Sequence, residues 1–288
     1  MPQAMDAWLP RVASRIQKYC VTSQCMKVAL RMPYSRRAGI YEVEYVEDRD
    51  YAFVDGLLDR PGLRVLEVPC GVGRLSSRLA RKAADLMLVD IEPVMVEKAA
   101  KAAAAASSTT CIRTTTCDMR TLDLDAAFDV ALVPREALQL LSPDDGKKAI
   151  SAIGRHIVVG GLLFVDLATF RATNGPLTDP DYFDPGRGDG TWQVDWMRDL
   201  ADGFRLVRHS AQWQEADSIL IELSYEIANP RGVQDSWRSQ MRLFRYDRDW
   251  LDSAPADGMV LEAVYGDYDR SSFSDASPRM LAMYRRAH

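Results

Sequence analysis

The sequence predicts an α/β fold: a mostly parallel β-sheet with helices on both faces, interrupted by an antiparallel β meander. Three observations carry this. Between Arg64 and Leu167, short apolar runs alternate with helix-forming or turn-forming segments, the pattern of a parallel sheet wound on both sides. The runs are apolar nearly throughout, as LLFVDL at 162–167 shows, so both faces of each strand should be covered. After Phe170 the period changes. Ile219, Ile221, Leu223, Tyr225 and Ile227 alternate with Leu220, Glu222, Ser224 and Glu226, as in a half-buried antiparallel strand. At 288 residues, 47% of them hydrophobic, the chain can hold one large domain, or a domain with a substantial insertion.

The elements follow in order. Trp8, Leu9, Val12, Ile16 and Tyr19 recur at helical spacing with Arg11, Arg15 and Lys18 opposite, which predicts an amphipathic helix. It either packs on the core, caps the active site or forms a dimer contact. Tyr41, Tyr45 and Tyr51 precede the first strand, Arg64–Val68. The turn PCGVG at 69–73 cannot continue that strand, and Leu75, Leu79 and Ala83 then mark a helix whose other face carries Arg74, Arg78, Arg81 and Lys82. Gly71 and Gly73 let a ligand approach bare backbone, and the first turn of a helix there would favour an anionic group. Leu86–Val89 reads as a second strand ending in Asp90. Asp90 lies at about the ~20-residue separation expected of a carboxylate that holds two vicinal ribose hydroxyls.

Pro93 suits the first turn of an alanine-rich helix. Cys111–Thr116 is a β-branched third strand delivering Asp118 to the sheet's carboxyl edge. Val130–Val133 is the fourth, with Asp129 before it and Pro134-Arg135-Glu136 at its end. Ser142-Pro143-Asp144-Asp145 starts a helix, and Gly160-Gly161 turn the chain into the fifth strand. Residues 171–191, dense in Gly, Pro and Asp, predict a long surface connection. Strands are expected at 204–214, 218–229 and 233–246, then a helix at 247–253 and strands at 259–265 and 280–286.

Composition excludes several classes. A net charge of −5 argues against a protein whose main work is gripping the nucleic-acid backbone. No run of about 18 apolar residues reads as a membrane span, and the first residues lack a signal-peptide core, so cytoplasmic residence without a membrane partner is the expectation. Cys20, Cys25, Cys70, Cys111 and Cys117 are an odd set without C-x-x-C pairs and are expected reduced. Cys70 reads as a small residue filling the turn. His156, His209 and His288 lie too far apart in sequence to suggest zinc, and no metal is expected.

Glu67-Val-Pro-Cys-Gly-Val-Gly73, followed by Asp90 and by Cys117-Asp118-Met119-Arg120 after the third strand, resembles the class I S-adenosylmethionine-dependent methyltransferases. Their first motif is [D/E]-x-G-x-G-x-G, and Pro69 stands where the first Gly is most often found. The resemblance runs from about Tyr41 to Leu167 and resumes at the C-terminal strands. It implies a Rossmann-like, mostly parallel seven-stranded sheet with a reversed final strand, an inserted antiparallel β meander as a lid, and N-terminal helices. The implied organisation is an N-terminal helical cap at 1–60, a cofactor-binding core at 61–170 and 247–288, and the lid at 171–246.

The resemblance also implies S-adenosyl-L-methionine as cofactor. Tyr41 or Tyr45 would lie at its methionyl end, Glu67, Cys70, Gly71, Gly73 and Arg74 around the first turn, and Asp90 and Ile91 at the ribose and adenine. Asp118 and Met119 would lie at the adenine amino group, with Pro134 and Arg135 near the reactive methyl group. Glu136 and His209 are the candidate bases, since a base helps when the acceptor is a hydroxyl or a protonated amine. The expected activity is methyl transfer to N or O of a small molecule, of a secondary-metabolite kind, with a homodimer left open. Two alternatives stand beside it: the same cofactor used for cyclisation, decarboxylation or hydroxylation, and an NAD-dependent oxidoreductase using the glycine turn for pyrophosphate. The oxidoreductase would leave Asp118 unexplained and puts Ser76 where a third small residue is expected.

Overall fold

A computed structural model describes residues 39–44, 46, 48–171, 182–200, 203–254 and 258–287. The helix expected over 8–19 and Tyr45 lie outside them. The short helices α1 (Tyr41–Glu44) and α2 (Tyr51–Asp55) lead into β1 (Arg64–Glu67), α3 (Ser76–Leu79), β2 (Asp85–Asp90), α4 (Pro93–Ala106), β3 (Cys111–Thr116), β4 (Phe128–Val133), α5 (Pro143–Gly154) and β5 (Ile157–Ala168). Strands β6 (Gln193–Asp199), β7 (Arg205–Gln214), β8 (Ser218–Asn229) and β9 (Gly232–Phe244) follow. The chain ends with α6 (Arg248–Ser253), β10 (Met259–Tyr265) and β11 (Arg279–Arg286).

Seven strands form one sheet in the order β10-β11-β5-β4-β1-β2-β3. β1 to β5 pair in parallel, and β11 is antiparallel to both β5 and β10. Apolarity throughout each strand has the expected physical cause. Leu66, Met87, Val89, Ala131, Val133, Leu163 and Val165 face α5 and α6 through Ile150, Ile153, Trp250 and Leu251. The alternate residues Val65, Leu86, Leu88, Val130, Leu132 and Phe164 meet α2, α3 and α4 through Phe53, Leu79, Val96 and Ala99. Each large side chain fully buried in these layers contributes roughly 1.5–3 kcal/mol. The register pairs Glu67 with Leu88 and Leu132, and Asp90 with Thr116. The segments after β1, β2, β3 and β4 therefore emerge side by side along one edge.

Two local expectations are corrected. The helix after the glycine turn spans only Ser76–Leu79. Beyond it the i→i−3 bonds Arg81 N–H to Arg78 O and Lys82 N–H to Leu79 O tighten the chain, and Arg78 reaches out to pair with Asp55. The second sheet, in the order β6-β7-β8-β9, contains a strand more than expected. A register shift between Val194 and Trp196 breaks the alternation by which β6 would have been read from sequence.

Candidate active site

Along the carboxyl edge runs a cavity of about 340 Å³. Its floor follows the strand order: Cys117, Asp118 and Met119 after β3, Asp90 and Ile91 after β2, Glu67 to Val72 at β1, and Pro134 to Glu136 after β4. Met95 closes it from α4, Tyr41 from the N-terminal side, and Tyr182, Met241 and Leu243 from the side of the second sheet. Such an apolar cleft with a few convergent polar groups at the strand ends of an α/β sheet is the usual form of a ligand site.

Asp90 is 7% exposed. Its Oδ2 accepts from Gly71 N–H at 3.0 Å and its Oδ1 from Glu92 N–H at 3.0 Å, which orients the carboxylate into the cavity and leaves a further acceptor site on each oxygen. Burial raises its pKa, and these two N–H groups oppose the rise. The turn amide of Gly71 is thus engaged by Asp90. With α3 so short, the turn is organised around this carboxylate. Gly71 has φ +51° and nothing within 4 Å of the position a Cβ would take, so open space meets the backbone there. Gly73 does different work. At φ +92°, its Cβ would stand 2.7 Å from Ala99 Cα, so Gly73 sets the close approach of the turn to α4. It does not line the cavity.

Glu67 is buried at the end of β1, where Ser76 Oγ–H donates to it at 2.5 Å. Burial raises its pKa to about 8, against the pull of Ser76 and of the Arg74 charge. Arg74 faces the cavity but commits its guanidinium to Asp50, a buried carboxylate that sequence reasoning missed. Burial, followed by the Glu67 and Asp90 charges, pushes the Cys70 thiol well above its ordinary range, so Cys70 is an inert filler of the turn. Asp118 caps the turn at Met119–Thr121 by accepting from Arg120 N–H at 2.9 Å. The Arg120 guanidinium lowers its pKa. Ile91, 59% exposed, is an apolar side chain held open at the rim beside Asp90.

Pro134, Arg135 and Glu136 turn the chain off β4, with Arg135 at φ 48° and Glu136 at φ 50°. Such values are costly for side chains of this size, and a buried charge cluster fixes the turn. Arg135 N–H donates to Asp166 Oδ2 at 3.1 Å, and Arg279 bridges Asp166 and Glu136, each at 2.5 Å. Tyr268 O–H donates to Asp166 at 2.7 Å. The Glu136 carboxylate, expected as a candidate base, lines the cavity and is paired with Arg279. His209, the other candidate base, is not among the residues lining the cavity. It lies in the middle of β7, 2% exposed, and neither ring nitrogen has a hydrogen-bond partner among the described residues. Burial lowers its pKa.

The cavity residues that sequence reasoning missed are mainly hydrophobic. Met241 and Leu243 share the inward period of β9, and Met95 lies in the first turn of α4 with Val96 and Ala99 also on its buried face. Those periodicities were legible; which cavity they would meet depends on tertiary placement.

The observed geometry accords with comparisons to known proteins. Residues 65–161 match the family model described as a methyltransferase domain, and the fold is one the chain shares with solved methyltransferases. Among solved structures, the chain resembles an S-adenosylmethionine-dependent methyltransferase from Clostridium acetobutylicum, with 15% identity, a TM-score of 0.69, and 88% of this chain and 99% of that one covered. It also resembles CalS10, an amino pentose methyltransferase from Micromonospora echinaspora involved in calicheamicin biosynthesis, at 19% identity and TM-score 0.63 over 86% and 97%. The sugar N-methyltransferase KedS8 from Streptoalloteichus matches at 20% identity and TM-score 0.62 over 93% and 98%. No curated protein sequence matches the chain.

Proposed function

We propose that this protein is an S-adenosylmethionine-dependent methyltransferase acting on a nitrogen or oxygen of a small molecule. The observation that carries the reading is Asp90: a carboxylate oriented by two backbone N–H groups at the end of β2, with exposed Ile91 beside it and open space at Gly71. That set fits a nucleoside, with the ribose hydroxyls on Asp90, the base against Ile91, Met95 and Met119, and the amino-acid end toward Glu67 and Tyr41. The two small-molecule methyltransferases named above support a small acceptor.

Bound S-adenosylmethionine would supply an electrophilic methyl carbon, with Asp90, Ile91, Met95 and Met119 holding its nucleoside and Glu67 and Tyr41 its amino-acid end. The chain's own residues supply alignment and water exclusion, which are worth several orders of magnitude in rate. The turn at 134–136, fixed by Arg279 and Asp166, positions the acceptor at the β4 side of the cavity. Glu136 acts in that turn as a positioning residue.

Calorimetry with S-adenosylmethionine and S-adenosylhomocysteine tests the reading. Saturable binding of both is expected, with Asp90→Ala weakening it by about 10- to 100-fold. Binding of NAD in place of either compound would overturn the assignment.

A further inference from the structure

The cavity changes character along its length. From Asp118 to Glu136 its floor carries charged groups on every strand, but beyond the β4 turn the wall consists of Ala137, Leu140, Leu141, Tyr182, Met241 and Leu243. Among the described residues, that end presents hydrocarbon, a thioether and the phenol of Tyr182. Leu140 is 44% exposed, a large apolar side chain left open at the mouth.

This wall is built to hold its shape. Gln139, fully buried, donates to Ala168 O and Phe244 O at 3.1 Å each and accepts from Ala168 N–H at 2.8 Å. It thereby joins the turn carrying Leu140 to the end of β5 and to the end of β9, the strand that carries Met241 and Leu243. Tyr246 O–H reaches the backbone oxygens of Leu138 and Leu141 at 3.1 and 3.0 Å. The two halves of the apolar wall are thus locked to each other through Gln139 and Tyr246, neither of which lines the cavity.

From this we infer that the acceptor carries an uncharged, apolar body, aryl or alkyl, seated between Leu140 and Met241, with its nucleophilic nitrogen or oxygen turned toward Pro134–Glu136. The inference rests on the methyltransferase reading and names the acceptor class for the same site. A phosphorylated or nucleotide-linked acceptor would have to desolvate its charges against this wall, a large penalty, whereas an apolar body gains affinity with each carbon it buries.

The test is calorimetric titration, on the full chain, of butylamine, hexylamine and 2-phenylethylamine, with dTDP and UDP-glucose as the charged comparison. S-adenosylhomocysteine binding is measured first and separately, so its failure would sink the methyltransferase reading alone; the amine series is then run with and without it. The expected result is saturable amine binding that tightens by up to about fourfold per methylene, and no saturable binding of dTDP or UDP-glucose. Leu140→Asn and Met241→Asn should each weaken 2-phenylethylamine by about tenfold, while Met241→Leu stays within about twofold. Tighter binding of UDP-glucose than of any amine, affinity independent of chain length, or amine affinity unmoved in both Asn variants would each overturn the inference.

Discussion

Glu67 and Gly73 stand six positions apart in one turn, and their environments lead to opposite kinds of test. Gly73 has φ +92° with Ala99 Cα 2.7 Å from where a Cβ would lie, so Gly73→Ala combines left-handed strain with a backbone clash. It should cost about 2–4 kcal/mol in chemical denaturation. Glu67 is instead a question of protons. Its pKa in the fold is about 8, against 4.5 as the ordinary value, so between pH 4.5 and about 8 the folded chain binds a proton that the unfolded chain has released. The Glu67 contribution to stability is fully present below pH 4.5 and is lost as pH rises toward and through about 8. Glu67→Gln, which still offers Ser76 an acceptor, should flatten that loss, and the melting temperatures of variant and wild type should diverge most at pH 9. At His209 the sign reverses. Burial lowers its pKa from 6.5, so its contribution is present above that value and is lost as pH falls below it. His209→Val should remove this acid-side loss and leave turnover within about twofold of wild type, since the ring lies outside the cavity.

At the level of elements, α1 is joined to the second sheet by a buried charge network. Arg208, 1% exposed, donates to Glu44 at 2.9 Å and to Asp195 at 2.9 Å, and Tyr225 O–H donates to the same Glu44 oxygen at 2.6 Å. Removing Arg208 strands two buried carboxylates, so Arg208→Met should cost about 3–5 kcal/mol, read by urea denaturation, and should open the α1 side of the second sheet to limited proteolysis. None of this was legible in the sequence, and the reason is general. Periodicity reports which face of an element is apolar, so the strands of the core and the alternating β8 could be read from Leu, Val and Ile positions, whereas the reversal of β11 followed only from the family resemblance. It cannot report partners separated by 164 residues, as Glu44 and Arg208 are. The same limit explains the site. Asp90 and Gly71 carried a local spacing and could be read together, whereas Glu136 looked like an available carboxylate because Arg279, which occupies it, is 143 residues away. The short α3 escaped for a different reason: Leu75, Leu79 and Ala83 keep helical spacing through the i→i−3 turns, so the pattern outlasts the helix.

The whole molecule meets at the cavity. The core sheet supplies its floor, the second sheet its apolar wall, and the N-terminal side contributes both Tyr41 at the cavity and Asp50 on Arg74. A ligand seated there touches all three, so its binding energy should appear as stability of the assembly rather than of one layer. At a concentration one hundredfold above its dissociation constant, S-adenosylhomocysteine should add about 2.7 kcal/mol. For a chain of this size that shifts the melting temperature upward by roughly 4–5 °C. If the two sheets and α1 unfold together, a single transition moves as a whole, and Asp90→Ala at the same ligand concentration should lose most of the shift. Two transitions, with only one of them responding to the ligand, would instead mean that the wall carrying Met241 and Leu243 is not coupled to the floor carrying Asp90. The Gln139 and Tyr246 contacts make the first outcome the expected one. Gln139→Leu, by leaving Ala168 N–H and Phe244 O without their partner, should turn the single transition toward two.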